Sequence, residues 1–296
     1  METGSIPLDS LASAFDLQST LESGQSYLWT REDGATYETD GAHGGDAWYA
    51  TVADGDVIRV RQTDDELVWE ATTDADARLH DLLRLDDDLD AIRAAANTDD
   101  LVDAAYDRYW GMRIVSDPFF GCLISFICSA QMRVERIFAM QESLREAYGE
   151  RIEFDGRTYH AFPTPDALAE TTEDELRDLG LGYRAPYVQR TAELVASDEL
   201  TRDDIRGLDY EDARDAMTGF VGVGEKVADC VLLFSLDYLD AVPLDTWIRT
   251  AIEDYYPDCA RGNYADTSRA LREQFGPYAG YTQTYLFHHL RNGGGN

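Results

Sequence analysis

The run Ala47–Val52 and the run Val57–Gln62, with Val57, Ile58 and Val60, are rich in β-forming residues. Asp54-Gly55 lies between them, and such a pair is a two-residue turn signal, so the stretch predicts a β-hairpin. Glu66–Ala71 and Gln25–Arg31 read as further strands, and Gly41–Asp46 as a Gly-rich turn. From Asp76 the period lengthens. Leu79, Leu82, Leu83, Ile92 and Ala96 suggest helices, and from Asp103 onward the chain reads as mostly helical. Phe119–Tyr148 reads as one long amphipathic segment. Thr164-Pro165 marks a helix start, Thr172 with Glu175 a capping box closed by Gly180, and Thr201–Thr218 another helix. The predicted class is α+β. An antiparallel sheet domain occupies residues 1–100, and helical domains fill 101–296, the last helix packing back.

Composition narrows the class. The 296 residues carry 58 Asp+Glu against 25 Lys+Arg, a net charge of −33. Of the 25 basic residues 24 are Arg, and Lys226 is the sole lysine. Average usage would place on the order of fifteen lysines in such a chain. Loss of lysine with gain of carboxylates points to a very salty cytoplasm, where hydrated acids keep a protein soluble. An acidic disordered tail does not fit, because 44% of residues are hydrophobic and acids run throughout. No apolar run reaches 18 residues and no signal-peptide pattern opens the chain, so a cytoplasmic protein is expected. The four cysteines form no CxxC, so no disulfide, metal cluster or cofactor is expected. Pro118 to Val134 contains no acid. That stretch is either a neutral surface for a negative partner or a buried helix.

The chemistry concentrates in Met217–Cys230. A helix ends, Gly222-Val223-Gly224 turns the chain, and a second helix begins. Glycines let backbone N–H groups approach an anion at a helix N-terminus, so Gly222 and Gly224 form a candidate phosphate dock. A structural tight turn explains them equally well. Lys226 follows in the first turn of the second helix. The field of that helix end and an apolar setting are expected to favour the neutral amine, a nucleophile. Arginine could supply the charge there but could not form a Schiff base. Val242-Pro243-Leu244-Asp245 comes next, with Asp245 as an N-cap or as a carboxylate that stabilises developing positive charge.

At this point the chain resembles the helix-hairpin-helix DNA glycosylases, and among them the 8-oxoguanine DNA glycosylases. The likeness rests on GVGEKVADC and AVPLD, with SGQSYLW (Ser23–Trp29), DPFFGCLISFICSA (Asp117–Ala130), LGLGYRAPYV (Leu179–Val188) and GPYAGYTQTYLF (Gly276–Phe287) in order. The resemblance implies a base-excision enzyme with AP lyase activity, its helix-hairpin-helix near residues 213–236. Lys226 would attack C1′ and Asp245 would assist. Gly24, Cys230, Gln283 and Phe287 would hold the flipped base. Tyr183, Arg184, Arg136 and Gln131 would meet the helix around it. The resemblance also implies a monovalent cation on the carbonyls of Thr218, Phe220 and Val223. No cofactor is implied, and the partner is double-stranded DNA bearing a damaged base, met by a monomer.

Three residues depart from the family pattern. Gln131 stands where an asparagine fills the gap, Trp247 where a histidine is usual, and Val221 replaces a proline. Gln131 puts the opposite-base preference in doubt. Two alternatives stay open: a glycosylase for alkylated or deaminated bases, or a non-catalytic hairpin DNA-binding protein.

Overall fold

In the computed structural model, which describes residues 1–38, 47–130 and 132–294, the alternating stretches do form a sheet. Its strands are β1 (Glu2–Pro7), β2 (Thr30–Arg31), β3 (Tyr49–Ala53), β4 (Asp56–Gln62) and β5 (Glu66–Ala71), with α1 (Leu17–Glu22) between the first two. The spatial order is β1-β5-β4-β3-β2, all antiparallel. Ala53 pairs with Asp56, so Asp54-Gly55 is the predicted two-residue turn, both residues at positive φ. The expected turn Gly41–Asp46 lies outside the described residues.

Two strand expectations need correction. Gln25–Arg31 is a strand only at Thr30–Arg31. The preceding residues are buried but irregular, held by the Gln25 side chain rather than by a ladder. Its amide donates to the carbonyls of Thr20 (2.9 Å) and Arg113 (2.8 Å) and accepts from Val115 N–H (3.0 Å). Strand β1 has no apolar alternation to announce it, since only Ile6 is buried.

The helices follow: α2 (Asp76–Leu83), α3 (Leu89–Ala95), α4 (Asp100–Arg108), α5 (Phe119–Ser129) and α6 (Val134–Tyr148). The stretch Phe119–Tyr148 is therefore two helices, not one. Helix α5 is buried over Gly121–Cys128, which settles the missing charge there as burial. A short hairpin, β6 (Arg151–Phe154) and β7 (Arg157–His160), turns at Asp155-Gly156. It is tied to the main sheet through Glu32, which accepts from Arg59 (2.8 Å twice), Arg157 (2.8 Å) and Tyr159 (2.7 Å).

Next come α7 (Pro165–Ala169), α8 (Glu173–Asp178) and α9 (Ala185–Ala196). Thr164 caps α7, and both halves of the capping box form on α8. Helix α10 covers only Tyr210–Met217, shorter than Thr201–Thr218 predicts. Asp204 instead accepts from the backbone N–H and hydroxyl of Thr201 (both 2.8 Å), closing a local turn that competes with helix. The last four are α11 (Glu225–Ser235), α12 (Thr246–Asp254), α13 (Tyr264–Phe275) and α14 (Ala279–Arg291). One continuous apolar core runs from Ile6 in the sheet to Leu286 in α14.

Candidate active site

Helices α10 and α11 meet at Thr218–Gly224. Gly222 has φ +84°, and a Cβ there would lie 2.8 Å from the Tyr187 ring. Only glycine satisfies both the backbone and the packing. Gly224 is the N-cap of α11, exposed and with no side-chain cap, so the first N–H groups of α11 are left to solvent or to an anion. The Phe220 carbonyl accepts from Val223 N–H (3.2 Å) and keeps a second lone pair.

In the first turn of α11, Lys226 lines a cavity of about 570 Å³. The cavity is lined by Gly24, Cys230, Asp245, Gln283 and Phe287 as well, so six residues from four separate segments surround one volume. Phe126 forms its floor: the Lys226 Nζ lies 5.4 Å from that ring, and Phe126 stacks on Phe234 (5.6 Å, 20°). Trp247, 41% exposed, stands among the lining residues where the α12 N-terminus begins.

The protonation of Lys226 differs from the expected neutral amine. Burial does favour the uncharged form, but Cys230 and Asp245 outweigh it, and the pKa ends above the ordinary lysine value. In the free protein Lys226 is an ammonium. Burial pushes the Cys230 thiol up to about 11, against the opposing pull of Lys226. Burial likewise raises Asp245, offset in part by the N–H of Ile248 and by Lys226.

Asp245 is fixed from two sides. Its carboxylate accepts from Ile248 N–H at 2.8 Å, capping α12. The residue before it, Leu244, donates its N–H to the Tyr264 hydroxyl (3.0 Å). Tyr264 donates in turn to Asp229 (2.8 Å), which also accepts from Tyr210 (2.6 Å). Asp229 sits between Lys226 and Cys230 on α11, so this chain of bonds sets the aspartate loop against the lysine helix.

Gly24 is fixed from α14. Arg291 donates to the carbonyls of Glu22 (2.7 Å) and Ser23 (3.3 Å), and lies 5.5 Å from the Phe287 ring. Gly24 has φ +91°, and a Cβ would stand 2.9 Å from the Arg291 guanidinium and 3.5 Å from Phe287. Arg291 was not legible as a site residue, because an arginine closing a helix reads as a surface cation. Tyr27, which also lines the cavity, reads as ordinary core.

Of the candidate DNA-contacting residues, Tyr183, Arg184, Arg136, Gly222 and Gly224 are not among those lining this cavity. Tyr183 is 55% exposed, and the Arg184 guanidinium lies 4.3 Å over its ring. Arg184 itself is buried, donating to the Ala130 carbonyl. Arg136 is exposed and approaches the Gly180 carbonyl (3.4 Å). Gln131 lies outside the described residues, but its neighbours Ala130 and Met132 line the cavity.

Asp117 supports the Gly24 segment through a bond from Ser26, and one of its carboxylate oxygens has no partner among the described residues. Burial pushes its pKa up to about 7. A carboxyl held above its unfolded value favours the fold while protonated. That contribution is lost as pH rises from the unfolded pKa through about 7. Asp117→Asn removes the ionisation. Its stability relative to the parent should therefore improve by roughly 1.4 kcal/mol per pH unit between pH 5 and about 7. Asp229 is pushed the same way, and comparison with the parent cancels it. Urea denaturation of both proteins across that range is the check, and a gap that stays constant with pH would refute the assignment.

Comparison with known proteins places this arrangement. Residues 7–123 match the 8-oxoguanine DNA glycosylase N-terminal domain, and residues 124–277 match the HhH-GPD superfamily base excision DNA repair protein. The chain is 36% identical over 211 residues to a probable N-glycosylase/DNA lyase of Methanothermobacter thermautotrophicus, covering 64% of this chain and 66% of that protein. It is 28% identical over 319 residues to the N-glycosylase/DNA lyase of Saccharomyces cerevisiae, covering 92% of this chain and 82% of that one. Among solved structures it resembles the Clostridium acetobutylicum 8-oxoguanine glycosylase/lyase in complex with double-stranded DNA containing cytosine opposite 8-oxoG. There the TM-score is 0.83 at 28% identity, covering 95% of this chain and 93% of that one. Since one of these family models spans more than half of its length, the chain belongs to the HhH-GPD superfamily of base excision DNA repair proteins.

Proposed function

We propose that the chain is a DNA glycosylase with AP lyase activity that removes oxidised purine, 8-oxoguanine first, from double-stranded DNA. The observation that carries this is the cavity, where the sole lysine faces Asp245, Cys230, Gln283, Phe287 and Gly24. A non-catalytic binding module needs the hairpin but none of that set.

In this reading the flipped base stacks between Cys230 and Phe287, with Gln283 on its Watson–Crick edge and the Gly24 carbonyl accepting the N7–H of the oxidised purine. The Lys226 ammonium first gives up one proton to water. The free Nζ then forms a bond to C1′ as the C1′–N9 bond breaks, the electron pair leaving with the base, which departs neutral after gaining a proton. Asp245, whose charge holds the ammonium beforehand, then faces the positive charge that develops on the sugar. Nζ then loses a proton as the C1′–O4′ bond breaks and O4′ takes one up, which opens the sugar to the Schiff base; loss of a C2′ proton breaks the C3′–O bond with the 3′ phosphate as leaving group, and water finally releases the enzyme. Tyr183 wedges into the duplex. Arg136 and Arg184 read the opposite base, Arg184 leaving the Ala130 carbonyl to do so, and Gln131 fills the gap. Phosphate rests on the N–H groups at Gly222 and Gly224, and a monovalent cation on the carbonyls of Thr218, Phe220 and Val223 would hold the turn.

With a net charge of −33, long-range attraction to DNA does not drive binding. The composition supports work in a salt-rich cytoplasm, where a Debye length of about 3 Å or less screens the repulsion. No helix among the described residues is long and apolar enough to cross a membrane. The test is single-turnover excision by a monomeric preparation in molar KCl, on duplexes carrying 8-oxoguanine, an alkylated purine or a deaminated base. Fastest release of 8-oxoguanine is expected. Preference for an alkylated or deaminated base would move the chain to another glycosylase specificity.

A further inference from the structure

The Tyr27 phenol belongs to the proposed base pocket as well. Tyr27 is 5% exposed and lines the cavity three residues after Gly24. Its ring is held edge-on by Phe126 (5.9 Å, 75°) and Phe138 (5.1 Å, 64°), so its direction is set by packing. Among the described residues no protein group hydrogen-bonds its hydroxyl.

Three other buried phenols are paired. Tyr49 donates to Glu22 (2.6 Å), Tyr210 to Asp229 (2.6 Å) and Tyr285 to the Met112 carbonyl (2.7 Å). Buried tyrosine hydroxyls find partners because an unpaired one loses its water without replacement. The Tyr27 hydroxyl is not among the buried unpartnered atoms, so it reaches the water of the cavity, and a base that displaces that water must bring an acceptor in its place. The phenol also stays protonated, since burial drives its pKa well above the ordinary tyrosine value. It is therefore a neutral donor. Around it the Gly24 carbonyl is an acceptor, the Cys230 thiol is a weak donor, and the Arg291 guanidinium already donates to the carbonyls of Glu22 and Ser23.

We propose that Tyr27 is a specificity-determining residue whose hydroxyl donates a hydrogen bond to a carbonyl oxygen of the flipped purine. This rests on the glycosylase reading. It adds a contact on the Gly24 wall, beyond edge recognition by Gln283 and stacking by Cys230 and Phe287. A keto purine would satisfy it, and a base presenting an amino group at that point would leave the phenol unpaired, a mismatch that discriminates strongly.

Tyr27→Phe tests this with the least change, since it removes the oxygen and keeps the ring. Two substrates are compared in single turnover: an 8-oxoguanine duplex, which needs the base pocket, and a duplex with a preformed abasic site, which has no base to bind. The expected result is a loss of excision on 8-oxoguanine that exceeds any loss of strand nicking at the abasic site by about tenfold or more. Equal rates for variant and parent on 8-oxoguanine would overturn the proposal. Equal losses on both substrates would also overturn it, since a structural defect acts on both. A parent that nicks abasic sites but releases no 8-oxoguanine would instead overturn the substrate reading beneath it, and the same gel shows which has failed.

Discussion

Lys226→Gln yields a folded protein that forms no borohydride-stable adduct with damaged DNA and excises base at least about 10³-fold more slowly than the parent. The size of the effect follows from what the residue does. Glutamine keeps the length and the polarity but has no amine to bond C1′. No other side chain can substitute, because the chain has no other lysine and its 24 arginines cannot form a Schiff base. Folding should survive, since Lys226 is half-buried at the start of α11, and Val227, Ala228 and Val231 carry the packing of that helix. Binding to an 8-oxoguanine duplex, read by fluorescence anisotropy, separates loss of chemistry from loss of affinity. Excision retained within tenfold of the parent would show that another group attacks the sugar.

Asp245→Asn is the second large effect, and it separates two roles held by one side chain. As an N-cap, asparagine serves about as well as aspartate, and its amide oxygen can still accept from Ile248 N–H. Thermal stability should therefore change little. As a charge, asparagine is nothing. Excision should fall roughly 10²-fold, because the sugar cation loses the carboxylate that faces it. The pH dependence should move as well. Asp245 helps raise the pKa of Lys226, so its removal makes the neutral amine available at lower pH. The acid limb of the pH–rate profile should then shift downward. A variant that loses stability and activity together, with the limb unmoved, would reduce Asp245 to a cap.

Much of this arrangement was legible before the structure, and the reasons differ by element. Strand β5 is found at its predicted limits, because a half-buried strand leaves a period of two in the residues themselves. The capping box on α8 is found for a similar reason, since its two partners lie three residues apart. Failures occur where the organising bonds are long-range. Tyr27–Trp29 looks like a strand but is fixed by Gln25 reaching Arg113, far along the chain. The break between α5 and α6 is hidden because apolar residues continue across it at a spacing that suits one helix. Asp155-Gly156 did carry a hairpin signal, but strands of four residues flank it.

The site divides in the same way. Lys226 and Asp245 stand out because their residue types are scarce or carry chemistry, and the resemblance then draws Gly24, Cys230, Gln283 and Phe287 to them. The supports do not stand out. Arg291, Asp229 and Tyr264 are ordinary residues whose roles exist only once α14, α11 and α13 are brought together. The expected neutral lysine failed for a related reason. Burial and the helix end favour the amine, but Cys230 one turn further along α11 and Asp245, nineteen residues away in the next loop, together override them.

The central claim is that the one lysine is the nucleophile. Its most direct test is to react the parent protein with an 8-oxoguanine duplex in molar KCl, trap with borohydride, digest, and locate the adduct by mass spectrometry. The account predicts a single cross-linked peptide carrying the modification on Lys226. An adduct on the amino group of Met1, or base release with no adduct at all, would contradict it.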